Sequence, residues 1–532
     1  MQPPIRTTVP DSYKLIGHID VNRLICRKKK IKDPLLNLLE KWQQDTYDVT
    51  TWDERAYTKM FEKFEYSKPC DDIQNTYPEE WDFATKLVLD EYSYMSECQI
   101  ITPLQTEKNM DSTPAFPKFL EYDTEADYIS TQGWSEYIDL WNNTDRKRPL
   151  WWTFLKYETI KKEKIEQNDI RMIMCTDPTF TRFGACFDQH QNQLMKTKTE
   201  EKQAQIGWTP FYGGLDKRLK RIGVLKPQYI ELDWTRYDGT IPNEVFKHIK
   251  EIRWFLHAHK YKTPENKKRY DWYVENLIVK PVLLPTGEVT IIPRGNPSGQ
   301  ISTTTDNNMI NTFLTAFEVA YLYKKQHGTV PTIKDYRQYV DSMCYGDDRI
   351  LSVSELFCQY DPTIIPEMYR TIFGMWVKPQ NIKKSSTLEG LTFCGLTFTK
   401  VKGVWYGTPN VDKILSTIEN PVKALPDIQS LWGKLISLRI LTEHSRTEVK
   451  EYLDRQIFRV QEYSKAEKIE LPEVPENFYS VIWSGGPNNN VRAETSKGSK
   501  TPQAKKRSGR QYKSEWNAHQ VHTPNFSEKT ST

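Results

Sequence analysis

The tetrapeptide Tyr345–Gly346–Asp347–Asp348, set between Met343–Cys344 and Ile350–Leu351, constrains this chain more than any other stretch. Two apolar runs separated by a glycine-containing break read as a β-hairpin, because glycine supplies the positive φ that a tight turn needs. The paired carboxylates then project from the tip. An ordinary acidic surface turn has the same local pattern, so chemical meaning depends on what else converges there.

A second acidic position lies upstream. Ile230–Glu231–Leu232–Asp233–Trp234 is strand-like, followed by Asp238–Gly239 and a helix expected from about Pro242. A carboxylate at a strand end stands at a sheet edge, where an ion can bind. Two such strands side by side would bring Asp233 and Asp347 together. Mg²⁺ favours hard carboxylate oxygens completed by substrate phosphates, and a pair of such ions stabilises both the attacking and leaving oxygens of phosphoryl transfer. Taken alone, Asp233 equally suits an acid in a turn approaching a helix.

The third element is the loop Arg294–Gly295–Asn296–Pro297–Ser298–Gly299–Gln300, leading into a helix expected over 303–325, with Met309, Phe313, Phe317 and Tyr321 at four-residue intervals. Thr303 and Asn307 share one face of its first turns. Small hydroxyl and amide groups there can bond a ribose 2′-OH, the group that separates RNA from DNA. Helix capping explains Ser298 or Thr303 singly, but not the set together with the acids.

The ordered set Asp233/Asp238, Ser298/Gly299/Thr303/Asn307 and Tyr345–Asp348 resembles motifs A, B and C of viral RNA-dependent RNA polymerases. The string GNPSGQISTTTDNNMIN followed by YGDDRI is similar to the astrovirus polymerase. The resemblance spans about residues 110–400. It implies an α+β right-hand fold with an antiparallel palm sheet and a helical thumb, closed by contact between fingers and thumb. The expected layout is fingers with an N-terminal extension over 1–225, palm over 226–262, a fingers insertion at 263–293, palm again at 294–404 and thumb at 405–484. It further implies template-directed addition of ribonucleotides to an RNA 3′-OH, with Asp233, Asp347 and Asp348 holding Mg²⁺ (Mn²⁺ as the alternative). Asp238, Ser298, Gly299, Thr303 and Asn307 would contact the ribose.

Further parts follow from the same resemblance. The basic stretch 156–171 matches motif F, a hairpin over the nucleotide path, with Lys156, Lys161, Lys162, Lys164 and Arg171 facing the triphosphate; the interspersed Glu158, Glu163 and Glu166 also suit a solvated charged face. Lys384, with Lys383 as the alternative, matches the motif D lysine that protonates the leaving pyrophosphate, though a surface lysine pair reads the same way. Phe393–Leu396 falls where the primer-grip hairpin of motif E belongs, without the basic residue often found there. Residues 112–117 fall at motif G. Implied partners are template and product RNA, nucleoside triphosphates, a genome-linked protein primer and other viral replication proteins. The implied setting is membrane-associated complexes in the host cytoplasm, after release from a frameshifted polyprotein. A reverse transcriptase and a non-catalytic RNA-binding scaffold are the competing readings. Asp238 and Asn307 oppose the first, because a deoxynucleotide enzyme is expected to block the 2′-OH. The intact acids oppose the second.

Composition agrees with a large globular chain: 532 residues, 38% hydrophobic and 12% aromatic. Mean hydropathy is −0.69, and no apolar run approaches the ~18 residues of a membrane span. A secretory leader is not expected from the first residues. The eight cysteines form no CxxC pair, and the nine histidines no ligand spacing, so reduced structural thiols are expected. From Gly485 onward the chain carries nine lysines and arginines against three glutamates and reads as a disordered basic tail of net +6. The total of +4 therefore leaves a body near −2, which must concentrate positive charge along any RNA channel.

Overall fold

The β-alternation around the Asp-Asp turn produces a central sheet buried on both faces. In this computed structural model, which describes residues 4–21, 30–145, 147–224 and 227–485, four antiparallel strands run in the order Val340–Tyr345, Asp348–Ser354, Pro227–Glu231, Lys383–Ser385. The basic tail from 486 onward and residues 27–29 of the basic run before Leu35 lie outside the described residues. Tyr345 pairs with Asp348, leaving Gly346 and Asp347 as a two-residue turn with Gly346 at φ +61°. Successive side chains alternate faces. Ile230, Leu351 and Val353 enter the main core. Tyr229, Met343 and Ile350 enter a second core with Leu215, Phe393 and Trp483. This is the antiparallel palm sheet that the sequence resemblance implies.

The expected long helix spans Thr303–His327, and the helix after Pro242 spans Asn243–Phe255. The four-residue apolar spacing in the first suggested one buried face, but every residue from Thr305 to Ala320 is buried. The helix packs between the palm sheet and helix Pro78–Glu91, so its polar side chains must find partners inside. Glu318 is the clearest case: its carboxylate accepts from both terminal nitrogens of Arg349 at 3.1 Å, and from the hydroxyls of Tyr360 at 2.8 Å and Tyr369 at 2.7 Å. Arg349 directly follows Asp348, so this buried pair fixes the acidic hairpin to the helix.

A second, five-stranded sheet lies in the region expected as the fingers, in the order Leu15–His18, Glu288–Ile292, Lys280–Leu283, Trp151–Leu155, Met172–Cys175. Residues 281–293, PVLLPTGEVTIIP, have two apolar runs about Thr286–Gly287 that read as a hairpin, and one is present, with Gly287 at φ +107° packed against His18 and Ile19. The basic stretch 156–171 is more elaborate than a simple hairpin. Trp151–Leu155 and Met172–Cys175 pair antiparallel, but the tip carries a strand, Thr159–Lys161, that pairs with Tyr47–Val49, and then a short helix, Lys162–Glu166.

Helices Val411–Glu419, Ile428–Leu441 and Thr447–Ala466 build the thumb around Leu415, Leu431 and Leu453. The apolar run Leu35–Trp42 has helical spacing but forms only a 3₁₀ turn, Pro34–Leu38. Asp33 caps Leu35 N–H at 3.1 Å, and Leu39 is extended (φ −101°, ψ 152°). Tertiary contact decides this geometry: Leu39 is buried in the thumb core. Glu40 N–H donates to Gln456 at 2.8 Å, Trp42 Nε1 to Asp412 at 2.9 Å, and Leu425 N–H to Asp33 at 3.0 Å. The N-terminal segment therefore bridges fingers and thumb, closing the hand as expected. Among the described residues no helix is long and apolar enough to cross a membrane, and seven cysteines are free thiols.

Substituting Glu318→Leu strands a buried guanidinium and is expected to cost about 3–5 kcal/mol, seen as a lowered urea midpoint. The double substitution Glu318→Leu/Arg349→Met should recover most of that loss.

Candidate active site

Asp233 lies in the break between Pro227–Glu231 and a two-residue strand, Trp234–Thr235, which pairs with Trp376–Val377. That pairing brings Lys378 N–H onto the Asp233 carbonyl at 2.9 Å. The Asp233 carboxylate accepts from Asn381 Nδ2 at 2.8 Å and meets Lys378 Nζ at 3.4 Å. Asp347 occupies the tip of the palm hairpin. Asn308 and Asn311 of the long helix tie down the turn backbone, the latter donating to the Gly346 carbonyl at 2.9 Å. Burial, with Asp238 and Asp233 adding repulsion, pushes the Asp347 carboxyl above its usual range. Asp348 accepts from the Cys394 N–H at 2.7 Å. Cys394 and Gly395, at φ +50° and +76°, form the turn between Thr392–Phe393 and Leu396–Val401, the hairpin expected at motif E. Burial, with Asp347 and Glu231 also contributing, pushes the Asp348 carboxyl up to about 6.

These acids fit a divalent cation of a particular kind. Among the described residues no three His, Cys, Asp or Glu side chains gather into a closed metal cage, because Asp233 is turned to Asn381 and Lys378, and Asp348 to Cys394. Mg²⁺ needs no such cage: one or two carboxylates suffice when waters and phosphates complete the shell. The donors are hard oxygens, burial and then mutual repulsion raise the proton affinity of Asp347 and Asp348, and a lysine ammonium already rests on Asp233. The fit is to an open, substrate-completed site.

Asp238 and Asn307 are brought together: Asn307 Nδ2 donates to Asp238 Oδ1 at 2.8 Å. Behind them Asn296 donates to Asn307 at 2.9 Å, and Gln300 donates to Asn296 at 2.8 Å and to Asp306 at 2.9 Å. Ser298 and Thr303 are engaged with backbone. Ser298 Oγ accepts from Met174 N–H at 3.1 Å and donates to the Met172 carbonyl at 3.3 Å, while Thr303 Oγ1 donates to the Pro297 carbonyl at 2.7 Å. Gly299 lies so close to the strand Met172–Cys175 that a Cβ would meet the Met174 carbonyl at 2.1 Å.

Arg171 donates through Nε to Glu158 at 2.7 Å, and Lys156 meets the same carboxylate at 3.4 Å. Glu158, although burial opposes it, is held below the usual range by Arg171 and Lys156. The Arg171 pKa is raised by its Glu158 hydrogen bond, with smaller effects from Asp238 and Asp347, so this cation faces the acids. A cavity of about 1350 Å³ opens beside Asp233, its wall carrying Lys161, Lys164, Lys378 and Lys413. Lys384 is not brought to the acids: it pairs opposite Ile230, and its Nζ donates to the Tyr360 carbonyl at 3.0 Å. Lys383 pairs opposite Glu231, on the face whose charge Asp233 and Asp348 feel.

Lys378, Asn381 and the Cys394 N–H escape sequence reasoning, because their positions follow from two-residue strands and a backbone turn without local pattern. Asn296 stands inside the recognised loop, where its polarity between Gly295 and Pro297 was the available signal.

The hairpin acids, the strand-end acid and the Asp238–Asn307 pair lie together at one end of the palm sheet. A family profile described as viral RNA-dependent RNA polymerase matches residues 8–457. Non-structural polyprotein 1AB of turkey astrovirus 2 is 53% identical over 91% of this chain and 30% of its own length. The avian nephritis virus 1 polyprotein is 50% identical over 90% and 32%, and that of human astrovirus-8 is 40% identical over 92% and 34%. The chain thus spans about a third of these curated relatives. Among solved structures, Sicinivirus 3Dpol RNA-dependent RNA polymerase superimposes with a TM-score of 0.64 at 14% identity, covering 91% of this chain and 97% of that one, so the two share a fold. The chain belongs to the viral RNA-dependent RNA polymerase family, and these relatives in it are astrovirus polyproteins.

Because the Asp348 carboxyl is raised from 3.8 to about 6, its neutral form is favoured in the folded state. The associated stability is complete below pH 3.8 and is lost as pH rises through about 6. In chelator, Asp348→Asn should therefore gain on the parent protein between pH 5 and 7.5, by on the order of 1 kcal/mol, the rest of the difference lying below pH 5. Thermal melts across that range check the sign.

Proposed function

We propose that this chain extends an RNA 3′-OH on an RNA template, using ribonucleoside triphosphates and releasing pyrophosphate. The mutual approach of Asp347, Asp233 and Asp238, with Asp238 bonded to Asn307 and Asp233 lining a lysine-walled cavity, carries this reading.

In it, Asp233 and Asp347 hold Mg²⁺ (or Mn²⁺), with Asp348 supporting the same site through its Cys394 contact. The bound ions supply charge stabilisation at the attacking and leaving oxygens. Arg171 and Lys156 exchange Glu158 for the triphosphate, and Lys164 adds charge from the cavity wall. Asp238 accepts from the ribose 2′-OH while Asn307 fixes the carboxylate. Ser298, Gly299 and Thr303 order the loop beneath the sugar. Protonation of pyrophosphate falls to the Lys383–Lys384 strand, with Lys383 on the face shared with Glu231. Template and product RNA occupy the ring closed by the N-terminal segment. A genome-linked protein primer, other viral replication proteins and a membrane-associated setting in the host cytoplasm complete the proposal.

Primer extension on a defined RNA template tests it. Asp347→Ala should reduce incorporation by on the order of 10³-fold or more while RNA binding persists; retained synthesis would refute the assignment. Separately, Asn307→Ala should lower the preference for ribo- over deoxyribonucleotides by about 10–100-fold, measured as a ratio of kcat/KM values.

A further inference from the structure

A fully buried lysine sits one layer behind the ribose-reading pair. Lys280 opens the fingers strand Lys280–Leu283 and has no solvent exposure. Its Nζ donates to four backbone carbonyls: Leu277 at 3.0 Å and Ile278 at 2.8 Å at the end of helix Pro264–Ile278, and Arg294 and Gly295, both at 3.1 Å, in the motif B loop. No carboxylate is among these partners. An ammonium without a counter-ion is costly to bury unless its protons are fully used. Four carbonyl oxygens crowd toward one another unless a cation holds them, so charge and cage depend on each other.

The caged backbone leads directly to the site. Gly295, at φ +92°, lies so close to the motif A turn that a Cβ there would meet the Asp238 carbonyl at 3.0 Å. The next residue, Asn296, donates its N–H to the Asp238 carbonyl at 2.8 Å and its side-chain amide to Asn307 at 2.9 Å. Asn307 in turn donates to the Asp238 carboxylate at 2.8 Å. The Lys280 ammonium, the carbonyls of 294–295, Asn296, and then Asp238 with Asn307 thus form one continuous chain of donors and acceptors. Burial lowers the Lys280 pKa to about 7, a measure of how fully the cage removes it from water.

We propose that Lys280 is a positioning residue for sugar selection: by gathering the 294–295 carbonyls it sets the spacing of Asp238 and Asn307 against the ribose 2′-OH. The inference rests on the polymerase reading above. Touching neither nucleotide nor metal, Lys280 would act on discrimination more than on chemistry. A lysine that merely stabilised the fingers would lower ribo- and deoxyribonucleotide use alike.

The experiment is single-nucleotide incorporation with matched ribo- and deoxyribonucleotides, by the parent protein, Lys280→Met, Asn307→Ala and the double variant. Lys280→Met, which keeps the stem but cannot donate, should lower ribose preference by about tenfold, chiefly by raising ribonucleotide KM. It should have no further effect in the Asn307→Ala background. Lys280→Gln, which restores two N–H donors, should recover part of the preference. Asn296→Ala cuts the same chain one link later and should reproduce the loss even if Lys280→Met does not fold. Parental discrimination in Lys280→Met or Lys280→Gln together with Asn296→Ala, an equal loss for both sugars, or an undiminished effect in the Asn307→Ala background would overturn the inference while leaving the polymerase reading intact. A parent protein that incorporates no nucleotide would overturn both.

Discussion

The ion pairs of Asp306 underlie everything in the active site. Its carboxylate meets Lys250 and, at 2.7 Å, Arg253, both on helix Asn243–Phe255, and all three side chains are fully buried. Lys250 also meets Asp188 at 3.0 Å, and Ser302 donates to Asp188 at 2.7 Å. Burial would raise the Asp188 carboxyl, but Arg253 and Lys250 hold it well below its usual range. Two acids and two bases thus balance under the first turn of the long helix, and removing any one would leave an uncompensated charge. Such a cluster is a specific solution, since only one register of the helix satisfies every partner.

From that anchor the site is assembled by close backbone approach. Gly299 lies against the strand Met172–Cys175, and Gly239 lies so near the Lys63 carbonyl that a Cβ would meet it at 2.1 Å. Where backbones meet so closely, side chains further out inherit a fixed separation. Asp238 and Asn307 come from segments far apart in sequence, yet they meet at hydrogen-bond distance because the loop between Arg294 and Gln300 is held against both. The palm hairpin is fixed independently, by Glu318 and Arg349. The hairpin acids and the Asp238–Asn307 pair are therefore both referenced to one helix.

Much of this was legible in the sequence, for identifiable reasons. The Asp-Asp turn, the strand ending near Asp233, the 281–293 hairpin and the long helix announce themselves through short-range pattern and turn chemistry. The segment Leu35–Trp42 did not, because the thumb, remote in sequence, dictates its extended course. Lys384 looked suited to the leaving group because sequence spacing cannot say which strand face a residue takes. Pairing with Pro227–Glu231 turns Lys384 toward Tyr360 and Lys383 toward Glu231. Lys378 and Asn381 reach Asp233 through strands of two residues, which no periodicity can register.

The N-terminal segment carries one more implication. Residues 33–42 dock on the thumb, and Tyr47–Val49, a few residues later, pair with Thr159–Lys161 of motif F. The belt that shuts the hand is thus stitched at both ends. Opening it sideways would break the thumb contacts or unzip the strand Thr159–Lys161. While both attachments hold, a linear polymer within such a loop would have to be threaded by its end and to leave by sliding along its own length.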